Sequence, residues 1–274
     1  MKNFIQSFIL PLAILVPVAT TNAQQIHIKA RFIEVPNNSV TDLEANIFPA
    51  DLTNGFDILT ATKANQLLNR LSVLGATGDY PSWYHLPDKN AIEVLAEPEV
   101  VTVSGRQIQM RSTQIINVVT NFAFREIGTN RSIAPQMGTV ETGPVFDAIP
   151  TILSDGYTID LRNTALLTEF LGYEKTTNTT TAFNTAGDEV DLPKILPGLR
   201  VRKENAHVKL YDGQTLALSK FKTESTGPEN FPKHDDKELL VLVTVTLVDP
   251  AGNRIHTDDE LPFTKDAVPI QDTH

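Results

Sequence analysis

The phrases PEVVTVSGRQIQM (98–110), GPVFDAIPTILSDGYTIDL (143–161), LRVRKENAHVKLYDGQTLAL (199–218) and KELLVLVTVTLVD (237–249) decide how this chain folds. Each alternates apolar with polar residues, or runs apolar, over strand lengths, and turn residues punctuate the series. The last phrase is the most apolar. Leu239, Val241, Val243, Val245 and Leu247 make one wholly aliphatic face; Leu240, Leu242, Thr244, Thr246 and Val248 make a second, partly polar face. A strand apolar on both sides belongs at the centre of a packed sheet or barrel wall. Ser154-Asp155-Gly156 and Asp212-Gly213 predict hairpins, the second through a type I′ turn in which Gly tolerates positive φ. Ser104-Gly105 predicts a further turn between strands 99–104 and 106–112.

Outward from these phrases the signals thin. Gln25 to Val35 alternates, with Ile26, Ile28, Ala30 and Phe32 on one face and His27, Lys29 and Arg31 on the other, as in a half-buried strand. Thr60 to Leu74 predicts a helix: Ala64, Leu67, Leu68, Leu71 and Leu74 recur at helical spacing, Thr60 caps the start and Gly75 the end. One apolar stripe means that the helix packs on a sheet. Residues 114–125 form another apolar stretch, and 164–173 reads equally as strand or short helix. Residues 37–57, 75–90, 126–142, 175–191 and 222–236 read as loops or connectors. The expectation is a mainly β (α+β) fold of antiparallel strands with one amphipathic packing helix, spanning 24–253 and followed by a polar tail, 254–274.

The chain has 274 residues, a hydrophobic fraction of 41% and a formal net charge of −10. That content supports a core, and the acidic balance speaks against nucleic acid as a partner. With no cysteine, disulfides, thiolate metal sites and cysteine nucleophiles are excluded. Residues 1–23 read as a secretory signal peptide. Lys2 supplies the basic start, an apolar stretch runs from Phe8 to about Val18, and Thr21-Asn22-Ala23 offers a cleavage site. The apolar stretch is shorter than the roughly 20 residues that a membrane helix needs, so the chain is expected outside the cytoplasm, in the periplasm or outer membrane. If it enters a membrane, it does so as strands.

No motif for catalysis or a cofactor stands out, and the chain is expected to be neither an enzyme nor a cofactor protein. Asp155, Asp160 and Glu169 lack the defined geometry of an acid–base pair, and no nucleophile elbow or phosphate loop occurs. His256, Asp258, Asp259 and Glu260 lack the alternating ligands and turn glycine of a calcium loop, so they read as a solvated acidic tail, as does His234-Asp235-Asp236. Tyr80, Trp83 and Tyr84 fit either a packed connector or an aromatic belt at a membrane interface.

The order of phrases resembles the C-terminal β-domain of bacterial secretins, the outer-membrane channels of type II and III secretion and type IV pilus systems. Leu95 to Arg111 is similar to the family's Leu-x-x-Pro-x-Val hairpin, Gly143 to Leu161 to its Gly-x-x-Leu-x-Val-x-Pro strand pair, and Asp212-Gly213-Gln214-Thr215 to its Asp-Gly-Gln-Thr turn. Ile26–Val35, the helix and Leu239–Val248 occupy the corresponding places. There are two departures. The β-domain follows the signal peptide directly, where secretins carry periplasmic modules. Ser219-Lys220-Phe221 stands where secretins carry Gly-Gly, and Lys222–Lys237 is short and charged where they carry a membrane-seating segment. The resemblance implies a homo-oligomeric ring that passes macromolecules across the outer membrane, with other secretion or pilus components as partners. It makes Asp155, Gly156 and Asp212 to Thr215 structural turns. It also puts strands near a gate at 114–125, with Arg111, Asn117, Asn121 and Arg125 facing a wet lumen; an ordinary core strand is the other reading of that stretch. The alternatives are a soluble periplasmic accessory or scaffold protein on the same fold and, less favoured, an exported hydrolase.

Overall fold

The computed structural model describes residues 24–36, 55–75, 92–127, 130–173, 179–183, 187–193, 197–226, 237–257, 260–261 and 267–271. In chain order they form β1 (Gln25–Pro36), β2 (Phe56–Leu59), helix α1 (Ala61–Gly75), β3 (Glu93–Ala96), β4 (Glu99–Val103), β5 (Ile108–Arg111), β6 (Gln114–Ile127) and β7 (Asn130–Ile152). The series continues with β8 (Thr158–Tyr173), β9 (Thr179–Phe183), β10 (Glu189–Pro193), β11 (Pro197–Tyr211), β12 (Thr215–Leu218), β13 (Lys222–Thr226) and β14 (Lys237–Val248). Residues 1–23, expected to be a signal peptide, the aromatics Tyr80, Trp83 and Tyr84, the His234–Asp236 segment, and Asp258 and Asp259 lie outside the described residues.

The fold is mainly β with an amphipathic helix, as the alternation predicts. One sheet has the order β2-β12-β14-β1-β3, with β4 also on β1; the other has the order β13-β11-β8-β7-β5, with β6 on β7. All of these pairs are antiparallel. The two sheets face each other across one apolar cluster. The first sheet contributes Ile26, Ile28, Ala30 and Phe32 from β1 and Val241, Val243, Val245 and Leu247 from β14, in register as Ile26↔Leu247 through Phe32↔Val241. The second contributes Phe146 and Ala148 from β7, Ile159 and Leu161 from β8, and Val208 and Leu210 from β11. On the outer side of the first sheet, Leu240, Leu242, Ala217, Ile33 and Val35 meet Ala64, Leu67 and Leu71 of α1. β14 is therefore covered on both faces, which is why it is apolar on both. Thr60 starts the helix, its hydroxyl accepting the Lys63 N–H at 3.4 Å.

Several sequence expectations need correction. Ser104-Gly105 and Asp212-Gly213 do not close hairpins. β4 lies in the first sheet and β5 in the second; β11 lies in the second and β12 in the first. Both steps are corners at which the chain crosses the sandwich. Nor is the Asp212 turn type I′, because Lys220 is the only non-glycine residue with positive φ among the described residues, whereas Gly213 has φ 85°. Residues 130–142 are the first part of β7, paired to β6, rather than loop. Strand β9 and the start of β10 stand within the expected loop 175–191, β13 within 222–236, and β2 starts inside 37–57. Residues 164–173, ambiguous by pattern, continue β8. The first part of β7, β9 and β13 are polar or Thr-rich and offered no apolar period to read, and cross-strand hydrogen bonds hold them instead.

Asp155-Gly156 does close a hairpin, between β7 and β8. The Gly156 N–H donates to the Leu153 carbonyl at 3.0 Å, and Asp155 accepts the N–H groups of Tyr157 and Thr158 at 3.0 and 2.9 Å. Partial burial opposes the charged carboxylate, yet together the Thr158 hydroxyl and N–H, the Tyr157 N–H and the Asp155 N–H hold its pKa below the usual 3.8. In the unfolded chain the group protonates first, so its stabilisation is whole above that value and fades as the pH falls below it. Asp155→Asn is expected to lose less stability than the parent between about pH 5 and about pH 3, as measured by urea unfolding at each pH.

Candidate functional site

The second sheet forks at Gly143. β7 is 23 residues long. From Gly143 to Ile152 it pairs with β8, and from Asn130 to Thr142 with β6. Beyond Thr168, the partner of Gly143, β8 pairs with β11 alone. Two limbs result, β6–β7 and β8–β11–β13. Gly143 has φ 116°, and a Cβ there would lie 2.5 Å from the Ser112 carbonyl oxygen and 3.0 Å from the Thr113 Cα. No side chain fits between those backbones. Gly143→Ala is expected to cost about 2 kcal/mol or more and to loosen the β6–β7 limb; urea unfolding and limited proteolysis within 114–142 would measure both.

A cleft of about 680 Å³ opens where the limbs part, with Glu34, Arg111, Thr113, Thr142, Leu167 and Glu169 among its lining residues. The Tyr173 hydroxyl oxygen accepts the Val119 N–H at 2.8 Å and so ties the limbs together. Charge is paired throughout. Arg111 reaches Glu141 at 2.9 and 3.0 Å, and the Thr113 hydroxyl donates to Glu141 at 2.7 Å. The Thr113 hydrogen bond first, and then Arg111, lower the Glu141 pKa. Deeper in, Arg202 is 4% exposed. Its Nη2 contacts Glu34 and, at 3.0 Å, Glu169, while Arg200 binds Glu169 through Nε at 2.8 Å and Nη2 at 2.7 Å.

Sequence reasoning missed this cluster, although a signal existed. Glu34 has the parity of Ile26 to Phe32, Arg202 that of Ala206 to Leu210, and Glu169 that of Ile159 to Leu167. All three occupy inward positions of their strands, where a charge must be paired.

Of the four residues expected to face one lumen, Asn117 and Asn121 lie on opposite faces of β6. Arg111 sits at the limb's base on β5, bound to Glu141 and Gln109. Asn117 is exposed opposite Thr139. Thr120 is an extra residue in β6, since Val119 pairs with Met137 but Asn121 with Gln136. This bulge inverts the alternation and turns Asn121 to the face opposite Asn117, where its Oδ1 accepts the Phe122 N–H at 2.8 Å. Arg125 pairs with Ser132 along the backbone, and its side chain lies outside the described residues.

The Asp212–Thr215 corner is stitched to β14. Asp212, 2% exposed, accepts the Leu247 N–H at 2.8 Å. The Gly213 N–H donates to Val245 at 2.8 Å, and the Thr215 and Thr244 hydroxyls lie 2.8 Å apart. His256 does not behave as part of a solvated tail. Its Nδ1 lies 3.0 Å from Asp212 Oδ2, and its side chain is 14% exposed. Glu260 accepts the Thr257 N–H. Asp155, Asp160 and Glu169 do not converge, each being held by its own partners: the turn, His207 and the two arginines respectively. No group of three or more potential ligands that could hold a metal ion occurs among the described residues, and no helix there is long and apolar enough to cross a membrane.

No family model and no curated protein matches the chain. Among solved structures it is similar to the type II secretin GspD of enteropathogenic Escherichia coli, at 11% identity and a TM-score of 0.32, over 84% of this chain and 71% of that one. It is similar also to the type IV competence pilus secretin PilQ of V. cholerae, at 11% identity and a TM-score of 0.33, over 82% of this chain and 61% of that one. Likenesses this distant carry no argument about activity.

Proposed function

We propose that the chain is a secretin-like subunit of an outer-membrane channel for the passage of macromolecules, assembling as a homo-oligomer in which the β6–β7 limbs stand side by side. The observation that supports this reading is the limb itself. It is a ribbon of two long strands that leaves the sandwich, and neither strand has a further pairing partner over 114–142 among the described residues. A lone two-stranded ribbon is marginal in water, and its open edges invite pairing. Copies paired edge to edge would satisfy those groups and close a wall. The arginine-tied carboxylates of the cleft suit a structural or lining role rather than catalysis.

A second reading, a periplasmic accessory or scaffold protein, is favoured by the limb's outward face. Ile115, Asn117, Met137, Thr139 and Glu141 are exposed there. This is a mixed surface and not the apolar band that lipid requires. Envelope fractionation followed by semi-native gel electrophoresis, with and without boiling, separates the two. A high-mass outer-membrane species that collapses to monomer on heating supports the channel subunit. A soluble periplasmic monomer overturns it in favour of the accessory protein.

A further inference from the structure

Where β11 and β13 of the second sheet meet the start of β14 in the first, a pocket of about 220 Å³ opens, with Arg200, Arg202, Lys220, Thr223, Lys237 and Glu238 in its lining. Four of these are cations and one is a carboxylate, in a chain whose formal net charge is −10. The two arginines form a partition between this pocket and the cleft at the fork. Their carboxylate partners, Glu34 and Glu169, line the cleft and not the pocket. Arg202 meets both through Nη2, and Arg200 meets Glu169 through Nε and Nη2. The balancing charge therefore stands on the cleft side. Arg202 Nε, on a side chain that is nine-tenths buried, has no hydrogen-bond acceptor. A buried donor left unpaired is costly, and this pocket, not the cleft, is the cavity that Arg202 borders.

Lys220 is a second sign of a site. It is the only non-glycine residue with positive φ among the described residues, at 55°. Backbone strain of that kind concentrates at functional positions, including ligand clamps. Lys237 reaches Glu93 at 3.5 Å, but Glu93 is 61% exposed, so solvent screens the pair and an anion can displace it at little cost. Arg200, Lys220 and Glu238 interact with further groups, which leaves Arg202 and Lys237 as the first donors to an incoming anion.

We propose that this pocket binds a phosphate group. Phosphate on an ester carries about −1.5 to −2 charges near pH 7 and presents three strong acceptor oxygens, so it answers several cations at once, and guanidinium groups suit it by their planar fork of donors. The volume admits one such group and lies below the roughly 300–1,000 Å³ of pockets for drug-sized ligands. The phosphate arrives either as the free ion or as a small monoester. Residues 227–236, outside the described residues, join β13 to β14, and both of these strands line the pocket. They carry Glu229, Asp235 and Asp236, so the chain's own carboxylates are the rival occupants. The site holds whether or not the protein forms a channel.

The test is titration calorimetry of the full chain with inorganic phosphate at pH 7 and constant ionic strength. Saturable binding of one phosphate per chain is expected. Lys237→Met, which leaves the pairs of Arg202 in place, is expected to weaken it about tenfold or more, the loss of one charged hydrogen-bond donor. Lys220→Met is expected to weaken it likewise, and Lys63→Met, on the exposed side of α1, to match the parent. Glycerol 3-phosphate binding as tightly as inorganic phosphate would identify a monoester as the ligand; phosphate binding alone would identify the free ion. Absence of saturable binding overturns the proposal, as does parental affinity in both Lys237→Met and Lys220→Met. The triple variant Glu229→Gln, Asp235→Asn, Asp236→Asn is expected to bind phosphate as the parent does. Binding seen only in that variant would show that the chain's own carboxylates fill the pocket, and would overturn the phosphate site.

Discussion

Val243→Asp is expected to leave the chain unable to fold. Val243 is 0% exposed. It stands on β14 between Ala30 of β1 and Leu216 of β12, at the middle of the first sheet and on the face turned to the second. An aspartate there has no cation to pair with in an aliphatic layer. Keeping it charged, or protonating it without a partner, costs several kcal/mol, against a total stability of about 5–15 kcal/mol for a domain. Val101, on the outer face of β4, is 48% exposed, and Val101→Asp is expected to change stability by no more than about 0.5 kcal/mol. Soluble yield and far-ultraviolet circular dichroism of the two variants check the claim. A folded Val243→Asp would mean that the strand's inward parity has been misassigned.

Arg202→Met is expected to destabilise the protein by about 3–5 kcal/mol, because breaking a buried ion pair leaves carboxylates without compensation. Glu34 is the more affected. Glu169 keeps Arg200, whereas Glu34 loses the guanidinium of Arg202. Replacing both members of the pair should therefore recover much of the loss, with Glu34→Gln in the Arg202→Met background giving back at least about 1 kcal/mol. Urea unfolding of the two single variants and the double variant measures this coupling. Additive losses would show that Glu34 and Arg202 contribute separately and that the fork does not depend on their pairing. The same cluster explains how the sandwich tolerates charge at that end, where the inward face changes from aliphatic to ionic as the limbs part.

These two sites differ in how openly the sequence announces them. Val243 belongs to an unbroken aliphatic series, and its burial follows from period two alone. Arg202 stands among the charged residues Arg200, Lys203 and Glu204 in a strand that reads as half-exposed, and only its parity with Ala206 and Val208 marks it as inward. The carboxylates that partner it come from β1 and β8, far away in the chain. The corner residues fall between these cases. Asp212-Gly213 announces a turn, and Gly213 takes the positive φ that a turn glycine suggests. That the turn crosses to the facing sheet, with Asp212 holding the Leu247 amide and His256, follows from the packing of β14 and the tail against it.

The sequence by itself determined that the chain is mainly β, which residues face inward on β1 and β14, and where α1 lies with the stripe it buries. Burial on a strand or helix follows the local period of the backbone, so the pattern is written residue by residue. Only the tertiary structure decided which sheet each strand enters, because alternation is satisfied equally by a strand that doubles back and by one that crosses to the opposite layer. It alone also decided the fork at Gly143 and the inversion of faces at Thr120. A bulge is one residue in excess of a partner strand, and that excess has no meaning until the two strands are paired.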